Sequence, residues 1–320
     1  MSTNHVRSLA VHRAVAGVAA LLLLAACGSS SDDGGSPAET GSTGSTTASR
    51  TATATGGVDP TIQAMLPASI REAGKLNVGI TTTLAPYNYV DADGNYVGLS
   101  VDLGTAVAEM MGLTLEYTST NQALLITGIQ SAKFDVGTIA FADTGPEAQA
   151  ELTFIDYLNR SVRLLVQKGN PEDITSVDQF CDGNDSIAVG TSAAQAPWLE
   201  EQSAACVAAG KQAIKISKYA NGAEVTQAVV SGRDDAALLD TLSGAYTAEQ
   251  GGNLEEVGPT YLTVLSGWAV DPKSTELAAA LQAALQKLVD NGTYAELLTK
   301  YGAPDAMKVS EILVNGGSAS

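Results

Sequence analysis

Histidine and cysteine are almost absent from this sequence. Its 320 residues include two histidines and three cysteines, and both histidines lie near the N-terminus. Zinc sites are built mainly from these two residue types, and histidine is the most frequent general acid–base catalyst. We therefore expect no metal, no cofactor and no enzyme activity. Glu147 or Asp143 could be offered as catalytic acids, but the sequence identifies no partner for either.

Basic residues are also scarce. Lysine and arginine total 17 against 35 acidic residues, which gives a formal net charge of −18. A chain this acidic is not expected to bind nucleic acid or to dock electrostatically on anionic lipid. Apolar residues make up 45% and charged residues 16%, a composition typical of chains with hydrophobic cores. The length of 320 residues favours two domains.

No uncharged run after residue 26 is long enough to cross a membrane as a helix. The apolar run at 14–26 follows Arg7 and Arg13 and has the length of a signal-peptide core. It ends in Leu24-Ala25-Ala26-Cys27, which resembles a bacterial lipobox. We therefore predict that residues 1–26 are a signal peptide and that Cys27 is lipidated. The alternative is an ordinary secretory signal with an incidental cysteine.

Residues 27–58 form a low-complexity segment. They consist almost entirely of glycine, serine, threonine, alanine and aspartate, which cannot bury a core. A flexible chain of about 30 such residues has a root-mean-square span of roughly 30 Å. We therefore predict a lipid-anchored protein on the extracytoplasmic face of the cell membrane, with its globular part attached through this tether.

The two cysteines beyond the predicted anchor are Cys181 and Cys206. Disulfides persist in exported proteins, so a bond between these two residues is the expected use of both thiols. A zinc site is the weaker interpretation, because two thiols without histidine make a poor set of ligands. We therefore predict a disulfide.

Strand and helix patterns alternate along the chain and then begin again. The first series predicts a helix at 64–75, a strand at 76–80, a turn at 91–95 between short strands, a helix at 101–111, a strand at 113–117, a helix at 121–133 and a strand at 134–139. The second predicts strands at 162–166, 186–189, 214–217 and 236–239, and helices at 194–209, 225–230, from Ser274 or Thr275 to 290, and at 293–301. This alternation favours two α/β units with mostly parallel sheets and helices on both faces. Ligands of such folds usually bind in clefts between units.

Six short segments, taken in order, carry a family likeness. They are LNVGI at 76–80, APY at 85–87, GNYVGLSVDL at 94–103, QSAKFD at 130–135, SGRDDA at 231–236 with Asp240, and DNGTYA at 290–295. Over residues 76–302 the sequence resembles the periplasmic-type solute-binding proteins for polar amino acids, family 3. Each segment alone is unspecific, and their order gives the likeness its weight.

The resemblance implies a type II periplasmic-binding-protein-like fold, in which two crossover strands join two α/β lobes. Lobe 1 would comprise 59–163 plus 265–315, lobe 2 would comprise 167–262, and the hinge strands would be 163–167 and 263–268. Such lobes close on a ligand by hinge motion. We predict a monomeric substrate-binding lipoprotein that delivers an amino-acid-like or amine-bearing solute to the permease subunits of an ABC importer. The alternatives are a ligand sensor that signals to a membrane partner and an enzyme on the same fold.

The resemblance also implies a ligand site. Asp240 matches the acidic residue that meets the ligand's α-ammonium, although it could equally be a helix N-cap. Tyr87 matches an aromatic residue that covers the ligand, and a core tyrosine is the alternative. The remaining positions that match the family's site are Gln122, Ala140, Phe141, Ala142, Ser192, Ala193 and Gln195.

The arginine that binds the ligand's α-carboxylate in this family is missing at its usual position. That position falls on Ala148 or Glu147, and no arginine lies between Arg71 and Arg160. An arginine fork contributes strong charge-assisted hydrogen bonds to a carboxylate. We therefore predict a ligand that has an amine-like positive group and lacks a standard α-carboxylate. The alternative is an ordinary amino acid held by another arginine, such as Arg160 or Arg163.

Overall fold

The structure is a computed structural model that describes residues 57–191, 193 and 195–318. The predicted signal peptide, Cys27, nearly all of the predicted tether and Ser192 lie outside the described residues. Among the described residues, no helix combines the length and the apolar character needed to cross a bilayer.

The helices and strands alternate along most of the chain. The α-helices are α1 (Pro60–Ala64), α2 (Ala68–Ala73), α3 (Leu99–Met111), α4 (Gln122–Gln130), α5 (Pro146–Glu151), α6 (Gln195–Ala208), α7 (Gly222–Val230), α8 (Thr241–Gly251), α9 (Thr275–Asp290) and α10 (Thr293–Lys300). The strands are β1 (Lys75–Ile80), β2 (Thr83–Leu84), β3 (Asn88–Val90), β4 (Tyr96–Val97), β5 (Thr114–Ser119), β6 (Val136–Ala142), β7 (Thr153–Gln167), β8 (Ser186–Gly190), β9 (Lys215–Tyr219), β10 (Ala236–Asp240), β11 (Leu254–Val270) and β12 (Leu313–Val314). Segments of 3₁₀ helix lie at Val177–Asp182 and Asp305–Met307.

One continuous sheet runs in the order β5-β1-β6-β11-β7-β10-β8-β9, and β12 also pairs with β7. Its two ends are parallel, with β1 between β5 and β6 and with β8 between β9 and β10. Its centre is antiparallel, because β11 pairs with β6 and β7, and β7 pairs with β10. The predicted parallel arrangement therefore holds within each half of the sheet and fails where the chain crosses between the halves.

β7 and β11 are much longer than the sequence patterns predict. They span 15 and 17 residues and pair with each other from Thr153–Val270 at one end to Gln167–Leu254 at the other. Polar residues in the middle of β7, including Asn159 and Arg160, interrupt its apolar pattern, so only the stretch at 162–166 reads as a strand. In β11 the pairing register shifts between Val257 and Val264, which interrupts its pattern in the same way.

The other predicted elements occur in the structure with small shifts at their ends, except near the start of the domain, whereas α5 and β12 were not predicted. The predicted helix at 64–75 is the shorter α2, with Pro67 at its N-cap position, and a separate helix, α1, ends at Ala64. Gly74 ends α2 in the left-handed conformation, so Lys75 already belongs to β1. Gly112 ends α3 in the same left-handed way, as predicted for the boundary at residue 111. Asn121 caps α4 by accepting a hydrogen bond from the Leu124 amide at 2.9 Å.

Both faces of the sheet are buried. In β10, Ala236 and Leu238 belong to one hydrophobic cluster, whereas Ala237 belongs to a second cluster on the opposite face, where Leu239 packs against it. Such alternation follows from the two-residue period of a strand. Cys181 and Cys206 lie in the first of these clusters and form the predicted disulfide. This bond ties the first 3₁₀ segment to α6.

Candidate functional site

Asp240 lies at the junction between β10 and α8. Its Oδ1 accepts a hydrogen bond from the Ser243 amide at 3.2 Å, so the side chain caps α8. The residue is buried, with only 10% of its side chain exposed. Its Oδ2 is bound by other groups, and the carboxylate therefore serves two purposes at once. The N-cap interpretation of Asp240 is thus correct, and it leaves one oxygen for a different role.

The second carboxylate oxygen of Asp240 is paired with Arg160. The guanidinium Nε lies 2.9 Å from Oδ2, and Nη1 donates to the carbonyl oxygen of Ala140 at 2.8 Å. Burial by itself lowers the pKa of Arg160, but attraction to Asp240 outweighs it, and the pKa is raised overall. The guanidinium is therefore charged, and it links β7 to residues of two other strands, β10 and β6.

Tyr87 closes the same cluster from the first half of the molecule. Its hydroxyl donates to Oδ2 of Asp240 at 3.3 Å, and the Arg160 guanidinium carbon lies 5.5 Å from the centroid of its ring. The side chain is fully buried, and this burial, together with the negative charge of Asp240, raises the pKa of the phenol well above its usual value. Tyr87 is thus both a core residue and a neighbour of two charged groups.

Other contacts show that the two halves of the molecule meet beside this cluster. Leu242, which follows Asp240 on α8, is fully buried in the hydrophobic cluster that contains Tyr87 and Trp268. The rings of Tyr89 on β3 and Tyr246 on α8 have centroids 6.0 Å apart. The cluster of Tyr87, Arg160 and Asp240, hereafter the charged cluster, therefore lies where residues of both halves are packed together.

A second ion pair lies nearby on β7. Arg163 donates through Nε to the Gly258 carbonyl at 2.9 Å, and its Nη1 lies 3.7 Å from Oε2 of Glu256. Burial raises the pKa of Glu256 to about 7, with Arg163 opposing this shift and the charge of Asp240 adding to it. Of the two arginines considered from the sequence, Arg160 lies in the charged cluster, whereas Arg163 binds the backbone of β11.

The comparisons with known proteins agree with this architecture. A family model described as bacterial extracellular solute-binding proteins, family 3, matches residues 76–304. The chain belongs to that family. The arginine-binding protein ArgT of Corynebacterium glutamicum is 31% identical over 257 residues, which cover 80% of this chain and 83% of the relative. The lysine/arginine/ornithine-binding periplasmic protein of Escherichia coli is 26% identical and covers 74% of this chain and 89% of its own.

Solved structures of solute-binding proteins share the fold. The crystal structure of an ancestral amino acid-binding protein, described as a precursor of cyclohexadienyl dehydratase, matches with a TM-score of 0.60. It is 27% identical and covers 73% of this chain and 97% of its own. The family 3 chain therefore has the predicted type II periplasmic-binding-protein fold, with two α/β lobes joined by β7 and β11. The relatives named here are binding proteins, one of which is described as the precursor of an enzyme. The exact lobe boundaries stay a prediction.

The remaining site residues predicted for this solute-binding protein are distributed along β6 and at two helix starts. Ala140 contributes its carbonyl oxygen to Arg160, and Ala142 is half-buried at the end of β6. The side chain of Phe141 is buried against Phe154, with ring centroids 6.4 Å apart, so any ligand contact at this position would come from its backbone. Gln122 is exposed at the first position of α4.

The predicted site residues on the second lobe surround the start of α6. Gln195 is the first residue of that helix and donates through Nε2 to the Leu238 carbonyl at 3.0 Å, two residues before Asp240. Ala193 is half-buried and packs against the hydrophobic cluster of this lobe. Gln195 therefore lies beside the strand that positions Asp240, and Ser192 falls outside the described residues.

A surface cavity of about 330 Å³ lies away from these residues, beside the disulfide. Its lining contains none of the predicted ligand-binding residues and consists of Asp178, Gln179, Cys181, Asp182, Lys211 and Gln212. Ligand sites are recognised by convergent polar groups in an apolar setting more reliably than by volume alone. The charged cluster meets that description, and the cavity beside the disulfide does not.

Proposed function

We propose that this family 3 protein is a lipid-anchored, extracytoplasmic substrate-binding protein of an ABC importer, and that it binds an amino-acid-like or amine-bearing solute between its two lobes. The observation that carries the proposal is the charged cluster. It places a carboxylate, a guanidinium and an aromatic ring where residues of both lobes are packed together. A small polar ligand held there would bridge the lobes, so that its binding favours the closed arrangement.

The printed names of the relatives support the ligand class. Both relatives described above bind basic amino acids by name, one arginine and the other lysine, arginine and ornithine. Each of these compounds has an ammonium group that an aspartate can bind. Asp240 is the acidic residue that we propose for this contact, with the ring of Tyr87 covering the ligand.

The remaining parts of the proposal concern location and partners. A lipid on Cys27 and a tether ending near residue 58 would keep the lobes at the outer face of the membrane, within reach of the permease subunits. A monomer is sufficient for this role, because both sides of the ligand site come from one chain. No nucleic acid partner is proposed, given the net charge of −18.

A thermal-shift screen of the purified full chain tests the proposed ligand class. The panel contains basic, neutral and acidic amino acids, opine-like compounds and amines without a carboxylate. A ligand present at about 100 times its Kd stabilises the folded protein by about 2.7 kcal/mol, which raises the melting temperature by several degrees. Stabilisation by an amino acid or amine supports the proposal, whereas stabilisation by none of these compounds contradicts it.

A further inference from the structure

Arg160 has the surroundings that the positive group of a ligand would need. Its guanidinium contacts the Asp240 carboxylate at 2.9 Å, the Ala140 carbonyl oxygen at 2.8 Å, and the face of the Tyr87 ring at 5.5 Å. A carboxylate, a carbonyl oxygen and an aromatic face are all groups that bind ammonium ions in proteins. In this structure the protein's own side chain therefore occupies the place proposed for the ligand's ammonium.

We propose that Arg160 is a specificity-determining residue that selects ligands having both an ammonium and a carboxylate, by exchanging its pairing with Asp240 when the ligand binds. The ligand's ammonium takes the place of the guanidinium on Asp240, and the freed guanidinium binds the ligand's carboxylate. This inference rests on the proposed function and adds the ligand's charge pattern to it. It favours the alternative raised from the sequence, an amino acid held by Arg160, over a ligand without a carboxylate.

The selection follows from what happens to the displaced cation. A guanidinium cannot lose its proton under ordinary conditions, and only 24% of the Arg160 side chain is exposed. A simple amine that binds Asp240 would leave Arg160 charged and without its partner in a largely buried site. Removing one member of such a pair is strongly unfavourable, because the remaining charge is uncompensated. A ligand that also has a carboxylate restores a partner to both side chains.

The geometry of the existing pair suits an exchange. Asp240 accepts the guanidinium through a single Nε–Oδ2 contact, and Nη1 is directed to the Ala140 carbonyl. This pairing is weaker than the two parallel bonds that a guanidinium forms with a well-placed carboxylate. Asp240 also keeps its hydrogen bond from the Ser243 amide when Arg160 leaves. Ala148 or Glu147 stands where the family has its carboxylate-binding arginine, and Arg160 would supply that function from β7.

Isothermal titration calorimetry with arginine and agmatine tests the exchange, because agmatine is arginine without its carboxylate. We expect the full native chain to bind arginine roughly 100-fold more tightly than agmatine, the difference that a paired arginine–carboxylate contact supports. Lysine and cadaverine form a second matched pair, so the test does not depend on one side chain. The readout is the ratio of the two dissociation constants within each pair.

The variants are Arg160→Gln, Arg160→Lys and the matched control Arg163→Gln. Arg160→Gln should reduce the ratio to roughly threefold or less. Binding of agmatine no longer leaves a buried guanidinium without a partner, and the carboxylate of the bound arginine loses the side chain that it would pair with. Arg160→Lys, which keeps the charge and loses the fork, should give an intermediate ratio. Arg163→Gln should leave the ratio unchanged, because Arg163 binds Gly258 and Glu256 instead.

One result overturns the inference while leaving the proposed function intact, and it is an Arg160→Gln protein that keeps the native ratio. If both ligands are weakened equally in that variant, the ratio is also unchanged, and the role of Arg160 is purely structural. If the native chain binds none of the four compounds and no other amino acid or amine, the proposed ligand class itself fails. Circular dichroism melting curves confirm that each variant is folded before titration.

Discussion

Two clusters of buried acidic side chains lie beside β7, and their carboxylates are stabilised by different kinds of partner. In the charged cluster, Asp240 is paired with the cation of Arg160. In the other, hereafter the carboxyl cluster, the fully buried Asp143 and Asp156 lie together near the C-terminal segment. There Asp143 accepts hydrogen bonds from the Gln149 side chain and the Gly317 amide, and Asp156 accepts one from the Gly316 amide at 2.9 Å.

The difference between the clusters distinguishes an ion pair, which we propose to be exchangeable, from a set of hydrogen bonds to the backbone. In the exchange that we propose, a ligand with both an ammonium and a carboxylate would give Asp240 and Arg160 a new partner each, so neither charge of the charged cluster would be left unpaired. The carboxyl cluster has backbone amides as its main partners, and these cannot leave unless the segment at residues 315–317 detaches. Oδ1 of Asp156 is also buried, and it has no hydrogen-bond partner within the described part of the chain. A proton held between the two acids would satisfy that oxygen.

Replacing Asp240 with asparagine should give the largest effect. The change removes the negative charge and leaves Arg160 uncompensated, which should lower the free energy of unfolding by about 3 kcal/mol. Affinity for the ligand found in the thermal-shift screen should fall about 100-fold. Urea unfolding and calorimetric titration measure the two quantities.

The control for Asp240→Asn is Asp240→Ala. Asparagine can still accept the Ser243 amide and cap α8, whereas alanine cannot, so the alanine variant should lose about 1 kcal/mol more. Both variants should lose ligand affinity to a similar degree. Native affinity in Asp240→Asn would show that the carboxylate serves the helix cap and not the ligand.

The carboxyl cluster should make stability depend on pH. Burial raises the pKa of Asp156 to about 7 from a usual value of 3.8, with repulsion by Asp143 adding to the shift and the Gly316 amide opposing it. The folded protein therefore holds this proton more tightly than the unfolded chain between these values. Its contribution to stability is fully present below about pH 4 and is lost as the pH rises through about 7, with a slope of at most about 1.4 kcal/mol per pH unit.

Asp156→Asn should remove this slope, because asparagine keeps the shape and has no proton to lose. The quantity to measure is the difference in unfolding free energy between the native protein and the variant at pH 4, 5, 6 and 7. The difference is needed because Glu256 also has a pKa raised to about 7 and adds a slope of the same sign. Glu256→Gln serves as the matched control. Parallel native and Asp156→Asn curves would contradict a proton on Asp156.

The sequence predicts the elements better than it predicts these two clusters. The helices α3 and α9 were predictable because each shows one apolar face and a clear boundary, such as Gly112. The pairing of Arg160 with Asp240 was not predictable, because it depends on the antiparallel register of β7 and β10. That register places Asp240 opposite Val162, and Arg160 lies two residues from Val162 on the same face of the sheet. If the register between β7 and β10 shifted by one residue, Arg160 and Asp240 would lie on opposite faces of the sheet.

The carboxyl cluster could be predicted even less. The segment after Gly302 shows little pattern, yet the structure pairs β12 with β7 and brings the amides of Gly316 and Gly317 to Asp156 and Asp143. The side chain of Asn315 also accepts the Phe154 amide at 2.8 Å. Single hydrogen bonds between residues about 160 positions apart leave no periodic signal in a sequence.

Replacing Tyr87 with phenylalanine should give the smallest effect and tests which part of the tyrosine matters in the charged cluster. The hydroxyl of Tyr87 makes a long hydrogen bond of 3.3 Å to Asp240, and Asp240 keeps both Arg160 and the Ser243 amide when it is removed. No buried charge is left unpaired, so the free energy of unfolding should fall by only about 0.5–1.5 kcal/mol. The ring remains to cover a bound cation, so ligand affinity should change less than about tenfold.

Tyr87→Leu is the contrasting variant, because it removes the aromatic face that lies 5.5 Å from the guanidinium. A loss in Tyr87→Phe as large as that of Asp240→Asn would mean that the hydroxyl, and not the ion pair, determines binding in this cluster.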